Sequence, residues 1–447
     1  MKIIIAGAGD VGFHLAEMLV HENQDISLID VDQDVLDYAS THLDVMTIRG
    51  DSASIQTLEQ AEVGKAKLVL AVTTSETNNL VTAILAKKMG AKQAVARVTN
   101  SEYLAESQRK TFKELGVDSL ISPRKLAAKE ILRLVNRASF TDVFEFEDGK
   151  ISLLGITLDD SSPLVNRRLK DLKDKFPEFG LRMIGILRGN QTLIPKGDTF
   201  LKSNDHIYLI TKNENIDNLE IFVGPKKSNI RNIMILGGTG LAYETAKLLE
   251  KNYHLTLIEG DKDQCKILAE QLHKTLIING DTSNVELLKE EGLANMDVFI
   301  ALMPNSETNI IASLTAKNHG VYKTIAQVEN KEYTHISQNI GVDTLINKKL
   351  IAANNIFRHV RKGRVEAIFS LHGVDAEVIE FVVHKKNNQL TKKPLKALHF
   401  PDKALIGGVI RGNESLIPNG DFQLKVNDKV IVFSLHEAIG KLERLFR

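Results

Sequence analysis

Lys2-Ile3-Ile4-Ile5-Ala6-Gly7-Ala8-Gly9-Asp10-Val11-Gly12 is the stretch on which the fold turns. A short apolar run ends on a glycine turn, and a helical pattern, Phe13 to His21, follows it. Strand, Gly-x-Gly-x-x-Gly and helix in that order give a weak six-residue pattern its structural context. The first glycine permits a tight turn and the second lets backbone N–H groups approach a pyrophosphate. The third allows close helix-to-strand packing, and the helix N-terminus stabilises the anion. Gly7, Ala8, Gly9, Asp10, Val11 and Gly12 are therefore the first candidate binding residues.

Working outward, further apolar runs read as strands at Ile26 to Ile29, Val45 to Ile48, Leu68 to Val72, Ala94 to Val98 and Ser119 to Ile121. Helical patterns separate most of them, which is the βαβ signature of a parallel, doubly wound sheet. Asp30 closes the second strand, where a carboxylate accepts hydrogen bonds from both ribose hydroxyls of an adenosine. It would repel a 2′-phosphate there, so NAD(H) or adenine nucleotides are favoured over NADP(H). Gly50-Asp51-Ser52 and Thr73-Thr74-Ser75-Glu76 follow the third and fourth strands at the carboxyl edge, where open α/β sheets bind ligands. Asp51, Thr73, Thr74 and Glu76 join the candidates, although Gly-Asp is also a common turn. Arg97 ends an apolar strand, placed to reach a phosphate or to pair with Asp30 or Glu76.

The chain is written twice. Gly116-Val117-Asp118-Ser119-Leu120-Ile121 recurs as Gly341-Val342-Asp343-Thr344-Leu345-Ile346, Gly50-Asp51 as Gly280-Asp281, and Asn100-x-Glu102-Tyr103 as Asn330-x-Glu332-Tyr333. Arg188-Gly189-Asn190 through Gly197-Asp198 likewise recurs as Arg411-Gly412-Asn413 through Gly420-Asp421. The expected fold class is α/β, with two tandem Rossmann-like doubly wound sheets, each followed by a small α/β lobe. The spans are 1–122, a connecting helix 123–141 and a lobe 142–226, then 227–347, a helix 348–364 and a lobe 365–447, joined near Gly224-Pro225-Lys226-Lys227-Ser228. A lobe of roughly 75 residues is near the lower limit for independent stability, so packing on a neighbouring lobe or a partner chain is expected.

In the second copy Gly237-Gly238-Thr239-Gly240-Leu241-Ala242 replaces the glycine motif. Thr239 puts a branched side chain where a pyrophosphate approaches the backbone. Glu259 still closes its second strand, while Gln327 stands where the first copy has Arg97. Gly237, Gly238, Thr239, Gly240, Leu241 and Glu259 form either a remodelled site or a degenerate copy kept for its interface, and weaker binding or none is expected.

Lys plus Arg equals Asp plus Glu at 57 each, so no global positive field would hold nucleic acid. The single Cys265 forms no internal disulfide and fits a reducing compartment, the cytoplasm. The opening residues run straight into a strand and leave no room for a signal peptide, so export is not expected. Apolar runs fall short of the roughly 18 to 20 residues that cross a bilayer.

The Gly7–Gly12 stretch, Ala71-Val72-Thr73-Thr74-Ser75-Glu76-Thr77-Asn78-Asn79, Ala96-Arg97-Val98 and the duplicated Arg-Gly-Asn lobe together resemble the family of potassium-conductance regulators, the RCK or KTN domains. The resemblance covers essentially the whole chain. It implies a non-enzymatic regulatory subunit, peripheral on the inner face of the membrane, that assembles as a homo-oligomeric ring. Such a ring gates a potassium-translocating membrane subunit in response to NAD(H) or ATP/ADP. Gly7 to Gly12, Asp30, Thr73, Thr74 and Arg97 match the family's first nucleotide site, whereas Thr239, Ala242 and Gln327 depart from it. The rival is an NAD-dependent oxidoreductase, which shares the fingerprint. It would need a general acid or base near the nicotinamide, and no His-Asp pair, metal-spaced cluster or Lys-Tyr pattern stands out in the sequence.

Overall fold

The computed structural model of the chain describes residues 1–20, 24–147, 149–172, 180–189, 191–219, 230–329, 341–360, 365–370, 374–385 and 388–446. The join at 224–228, and Asn190, Asn330, Glu332 and Tyr333 of the repeats, lie outside the described residues. Two compact units result: Met1–Ala127 with Asn347–Val360, and Ala128–Ile346 with Arg361–Arg447.

In the first unit β1 (Lys2–Ala6), β2 (Asp25–Asp30), β3 (Met46–Arg49), β4 (Leu68–Ala71), β5 (Ala94–Arg97) and β6 (Ser119–Ile121) pair in parallel in the order β3-β2-β1-β4-β5-β6. That order reverses direction between β1 and β4, which opens a crevice at the carboxyl ends of those two strands. The central strands are apolar along their length because helices cover both faces of a parallel sheet; Ile3, Ile4, Ile5 and Leu70 are fully buried. Between and after these strands run the helices α1 (Asp10–Val20), α2 (Gln33–His42), α3 (Ile55–Gln60), α4 (Glu76–Lys88) and α5 (Glu106–Leu115). The chain passes to the second unit within α6 (Pro123–Asn136).

The second unit opens with the antiparallel strands β7 (Asp142–Phe146), β8 (Ile151–Thr157), β9 (Leu181–Arg188), β10 (Gln191–Leu193) and β11 (His206–Lys212), in the order β10-β9-β11-β8-β7, and a short α7 (Ile216–Leu219). A second six-stranded parallel sheet follows. It consists of β12 (Asn232–Leu236), α8 (Gly240–Leu249), β13 (His254–Glu259), α9 (Lys262–Gln271), β14 (Thr275–Asn279), α10 (Val285–Glu290), β15 (Val298–Ala301), α11 (Ser306–Asn318), β16 (Lys323–Gln327) and β17 (Thr344–Ile346). Its order, β14-β13-β12-β15-β16-β17, repeats that of the first sheet. After α12 (Lys348–Val360) come β18 (Val365–Ser370), β19 (Ala376–Val382), α13 (Asn388–Lys392), β20 (Ala404–Arg411), β21 (Glu414–Leu416), β22 (Lys429–Leu435) and α14 (His436–Phe446). These strands form a sheet ordered β18-β19-β22-β20-β21, the topology of the first small lobe.

Each small lobe has the other for its neighbour, because the two share one core. Leu153, Ile184, Tyr208 and Ile210 of the first pack with Val378, Ile431 and Phe433 of the second. Glycines let the sheets close up: an added Cβ at Gly185 would meet the Phe433 ring at 2.5 Å, and one at Gly407 would overlap Ile210. The repeated Arg-Gly-Asn motif is also structural. Arg188 grips the buried carboxylate of Asp205 through Nε and Nη2, each at 2.7 Å, and Arg411 grips Asp428 in the same way at 2.8 Å. Bidentate pairing satisfies both oxygens of a carboxylate that is almost fully removed from water, and Gly189 and Gly412 take the left-handed conformation of the turn that follows.

One junction of the second unit buries charge. Glu130 of α6, with 16% of its side chain exposed, accepts a hydrogen bond from Arg133 at 3.1 Å. Burial pushes its carboxyl up to about 7; the carboxylates of Asp142 and Glu145 add to the rise and Arg133 opposes it. A folded-state value above the unfolded 4.5 means the folded chain holds this proton longer. The stability tied to Glu130 is therefore full below pH 4.5 and declines until about pH 7, by on the order of 3 kcal/mol. Glu130→Gln copies the protonated form, so we expect its melting temperature to match the wild type at pH 5 and to exceed it by several degrees at pH 8. Equal melting at both pH values in scanning calorimetry would contradict this.

Candidate functional site

The first glycine turn is shaped by what lies next to each glycine. Gly7 has φ +105°, and a Cβ there would press on the Thr73 amide at 2.8 Å, so β1 and β4 close tightly beneath the turn. A Cβ at Gly12 would overlap the Gly7 carbonyl oxygen, which fixes α1 against the turn. A Cβ at Gly9 would meet nothing within 4 Å. Two glycines are thus demanded by packing, and the third borders open space at the N-terminus of α1, the position from which backbone N–H groups hold anions.

Asp30 leaves β2 with its carboxylate turned to this loop. Its Oδ2 accepts the Ala8 N–H at 2.6 Å and its Oδ1 accepts the Asp32 N–H at 3.1 Å. Across the crevice, Thr73 is held by Asn79, a residue of α4 with 1% exposure. Asn79 Oδ1 accepts the Thr73 N–H and hydroxyl at 2.8 and 2.7 Å, and Asn79 Nδ2 donates to the carbonyls of Thr73 and Arg97, each at 3.0 Å. One buried amide therefore sets the spacing of the β4 and β5 ends. Thr74 beside it is exposed.

Arg97 forms no ion pair with Asp30 or Glu76. Among the described residues neither the Arg97 guanidinium nor that of Arg124, at the start of α6, has a hydrogen-bonded or ion-paired partner, though the Arg124 charge helps to hold the Glu76 carboxyl down. Burial and then the neighbouring Arg124 charge hold the Arg97 pKa below its ordinary value, so a cation is kept half-buried without a counterion. That is a costly arrangement unless an anion arrives to satisfy it. Glu76 serves otherwise. Although burial opposes its charge, the Asn100 and Thr99 N–H groups and the Thr99 hydroxyl, at 2.9, 2.7 and 3.0 Å, keep its carboxyl below the usual range. It braces the loop after β5. Asp51 Oδ1 accepts from Ala53 N–H at 2.9 Å and Asn78 Nδ2 at 3.1 Å, closing a turn. The glycine before it is required because a Cβ on Gly50 would meet Thr57 Oγ1 at 2.6 Å. The recurrence of Gly-Asp at 280 and 281 has the same basis: Gly280 abuts Leu287, and Asp281 takes the Ser283 N–H at 2.8 Å.

In the second copy the frame is kept and the opening is filled. Glu259 accepts the N–H groups of Gly238 and Asp261, as Asp30 does for its own turn. Asn309 bonds Met303 and the Gln327 carbonyl as Asn79 bonds Thr73 and Arg97. Thr239, however, caps α8 by accepting the Ala242 N–H at 3.3 Å and donates to the Leu302 carbonyl at 2.9 Å, so a side chain stands where Gly9 leaves room. Gly240 and Leu241 begin α8, Gly237 takes φ +93° against Met303, and Gln327 is a buried neutral group. At the second turn, then, Thr239 occupies the place that Gly9 leaves open, and Gln327 stands where the first copy has Arg97.

Sequence reasoning did not single out Asn79 or Arg124. The recurrence of Asn79 as Asn309 was the available signal for the first; nothing local marked the second. It also found no His-Asp pair, yet among the described residues the fold makes two: His436 Nδ1 lies 2.5 Å from Asp375 Oδ1 in the second small lobe, and His206 Nε2 lies 3.0 Å from Asp142 Oδ2, with Thr157 Oγ1 2.9 Å from Nδ1. The His206 pair belongs to the first small lobe, in the second unit, where neighbouring strands bring it together. Among the described residues no group of three or more His, Cys, Asp or Glu could hold a metal ion.

Residues 3–123 and 233–348 match the TrkA-N domain, and residues 153–223 and 378–447 match the TrkA-C domain. The chain belongs to the TrkA family. A Trk system potassium uptake protein TrkA homolog of Archaeoglobus fulgidus is 35% identical over 450 residues, covering 100% of both chains. The crystal structure of the GsuK RCK domain superposes with a TM-score of 0.62 at 15% identity, covering 100% of this chain and 94% of that one. The GsuK channel bound to NAD does so with a TM-score of 0.61 at 14% identity, covering 100% of this chain and 78% of that one. At that identity the likeness is one of fold, and it is the RCK fold. The curated relatives are named Trk system potassium uptake proteins, so the oxidoreductase alternative is set aside.

Proposed function

We propose that this chain is the nucleotide-sensing regulatory subunit of a potassium uptake system, binding NAD(H) or ATP/ADP at the first glycine turn without chemistry on the ligand. The observation that carries this reading is the contrast between Gly9, where an added Cβ would meet nothing within 4 Å, and its repeat Thr239, whose side chain fills that place and is hydrogen-bonded. In this reading backbone N–H groups of Gly9 to Val11 take the phosphates, Asp30 the ribose hydroxyls, Thr73 and Thr74 border the ligand, and Arg97 supplies the counter-charge.

The chain assembles as a homo-oligomeric ring in the cytoplasm, peripheral on a potassium-translocating membrane subunit of the TrkH or TrkG type. Family membership supports this, and among the described residues no helix is long and apolar enough to cross a membrane itself. A bound ligand moves such a gate only through its differential affinity for the two states.

Calorimetric titration with NAD⁺, NADH, ADP and ATP tests the reading, with one site per chain expected. Arg97→Gln, which copies the second half, is expected to weaken ADP binding roughly tenfold or more, the worth of one charge-assisted contact. The same variant should blunt the nucleotide response of potassium flux. A chain that binds none of the four nucleotides would reject the sensor role.

A further inference from the structure

Helix α12 follows the second parallel sheet in the sequence but belongs to the first unit, where it packs along α1. Its start is fixed locally. Asn347 Oδ1 accepts the N–H groups of Lys349 and Leu350 at 3.0 and 3.2 Å, a side-chain cap that sets Lys349 in the first helical turn. From there the Lys349 ammonium, with 19% of its side chain exposed, forms an ion pair with Asp10, the first residue of α1 and the fourth of the glycine motif.

Asp10 is in an ambivalent place. A carboxylate in the first turn favours the helix dipole, but here the same turn borders the open space at Gly9. A phosphate seated there would be repelled by Asp10 were that charge not cancelled. The cancelling cation comes from a helix of the second half, one contact away from the α1 N-terminus.

We propose that Lys349 reads the phosphate charge of the nucleotide in the first site. It shares itself between Asp10 and the ligand, so that α12, and with it the second half of the chain, registers how many phosphates are bound. This rests on the nucleotide reading above and deepens it. A compact ammonium on a flexible stem suits the role, since it can follow a charge without needing a fixed bidentate geometry. Arg97 then supplies affinity common to all phosphorylated ligands, and Lys349 supplies the distinction between them.

The test is a ladder of AMP, ADP and ATP titrated by calorimetry into wild type, Lys349→Met and Asp10→Asn, with circular dichroism melts confirming that each variant folds. In Lys349→Met we expect ATP affinity to fall roughly tenfold or more, ADP less, and AMP less than about twofold, the loss tracking ligand charge. Its ATP affinity should also depend less steeply on salt. In Asp10→Asn the lysine loses this anionic partner and ATP affinity is expected to rise. Should Lys349→Met fail to fold, the Asp10→Asn ladder decides alone. Wild-type binding with the same ratio of ATP to AMP affinity in the folded variants overturns this inference and leaves the site standing. A wild type that binds no adenine nucleotide overturns both.

Discussion

Gly9→Thr is expected to abolish measurable nucleotide binding while leaving the fold intact. The substitution copies the second half, where Thr239 caps α8 and bonds the Leu302 carbonyl. The first half has room for the side chain, since a Cβ at Gly9 meets nothing within 4 Å and the residue is not held in a left-handed conformation. The melting temperature should therefore stay within about 2 °C of the wild type, as for surface changes that touch nothing. Binding should fall by at least about a hundredfold, close to 3 kcal/mol, because the branched side chain stands between the ligand phosphates and the α1 N–H groups. Calorimetry with ADP and NADH reads the loss directly. Affinity within about threefold of the wild type, in a folded protein, would put the ligand elsewhere. The reverse change, Thr239→Gly, is expected to yield only weak binding, because Gln327 ends the strand where the first copy has Arg97.

The two Rossmann sheets were legible in the sequence because the evidence for them is local. Apolar runs, glycine turns and helical periods alternate over short distances, and each is decided by its immediate neighbours. Boundaries shifted by a residue or two. The strand read as Val45 to Ile48 runs Met46–Arg49, and the run ending at Val72 pairs only to Ala71. Helix α1 starts at Asp10 rather than Phe13, since the glycine turn sets its first residue while the apolar period begins later.

What stayed hidden is set by tertiary contact. That α12 lies with the first unit follows from packing on α1, not from any residue of its own. That the Arg97 guanidinium has no ion-paired partner among the described residues depends on where Asp30 and Glu76 spend their oxygens, Asp30 on Ala8 and Asp32, Glu76 on Thr99 and Asn100. The Gly50-Asp51 repeat looked equally like ligand chemistry and like a turn, and its glycine is explained by the approach of Thr57. Repetition in a duplicated chain marks what the fold needs as readily as what the ligand needs. The informative positions are those where the copies share a frame and differ in its opening, Gly9 against Thr239 and Arg97 against Gln327.

Asn79→Leu is expected to be the most destabilising single change in the first sheet, and to separate the frame from the opening. The two side chains are similar in size, so the core loses little volume, but three main-chain groups lose their partner: the Thr73 N–H and the carbonyls of Thr73 and Arg97. Each buried polar group left unsatisfied costs about 1–3 kcal/mol; Thr73 and Arg97 are only partly buried, so the lower end applies and the three cost on the order of 3–5 kcal/mol together. Asn309→Leu removes the same bonds from the second sheet and should cost a similar amount. Function distinguishes the pair. Only Asn79 ties together strand ends that carry candidate ligand residues, Thr73 and Arg97, so Asn79→Leu should weaken ADP binding roughly tenfold in the folded fraction while Asn309→Leu leaves it unchanged. Urea denaturation and calorimetry on the two variants side by side measure both quantities. Equal stability losses with ADP affinity untouched in both would mean that the spacing of the β4 and β5 ends serves the sheet alone, and that the ligand is held by the glycine turn and Asp30 without help from across the crevice.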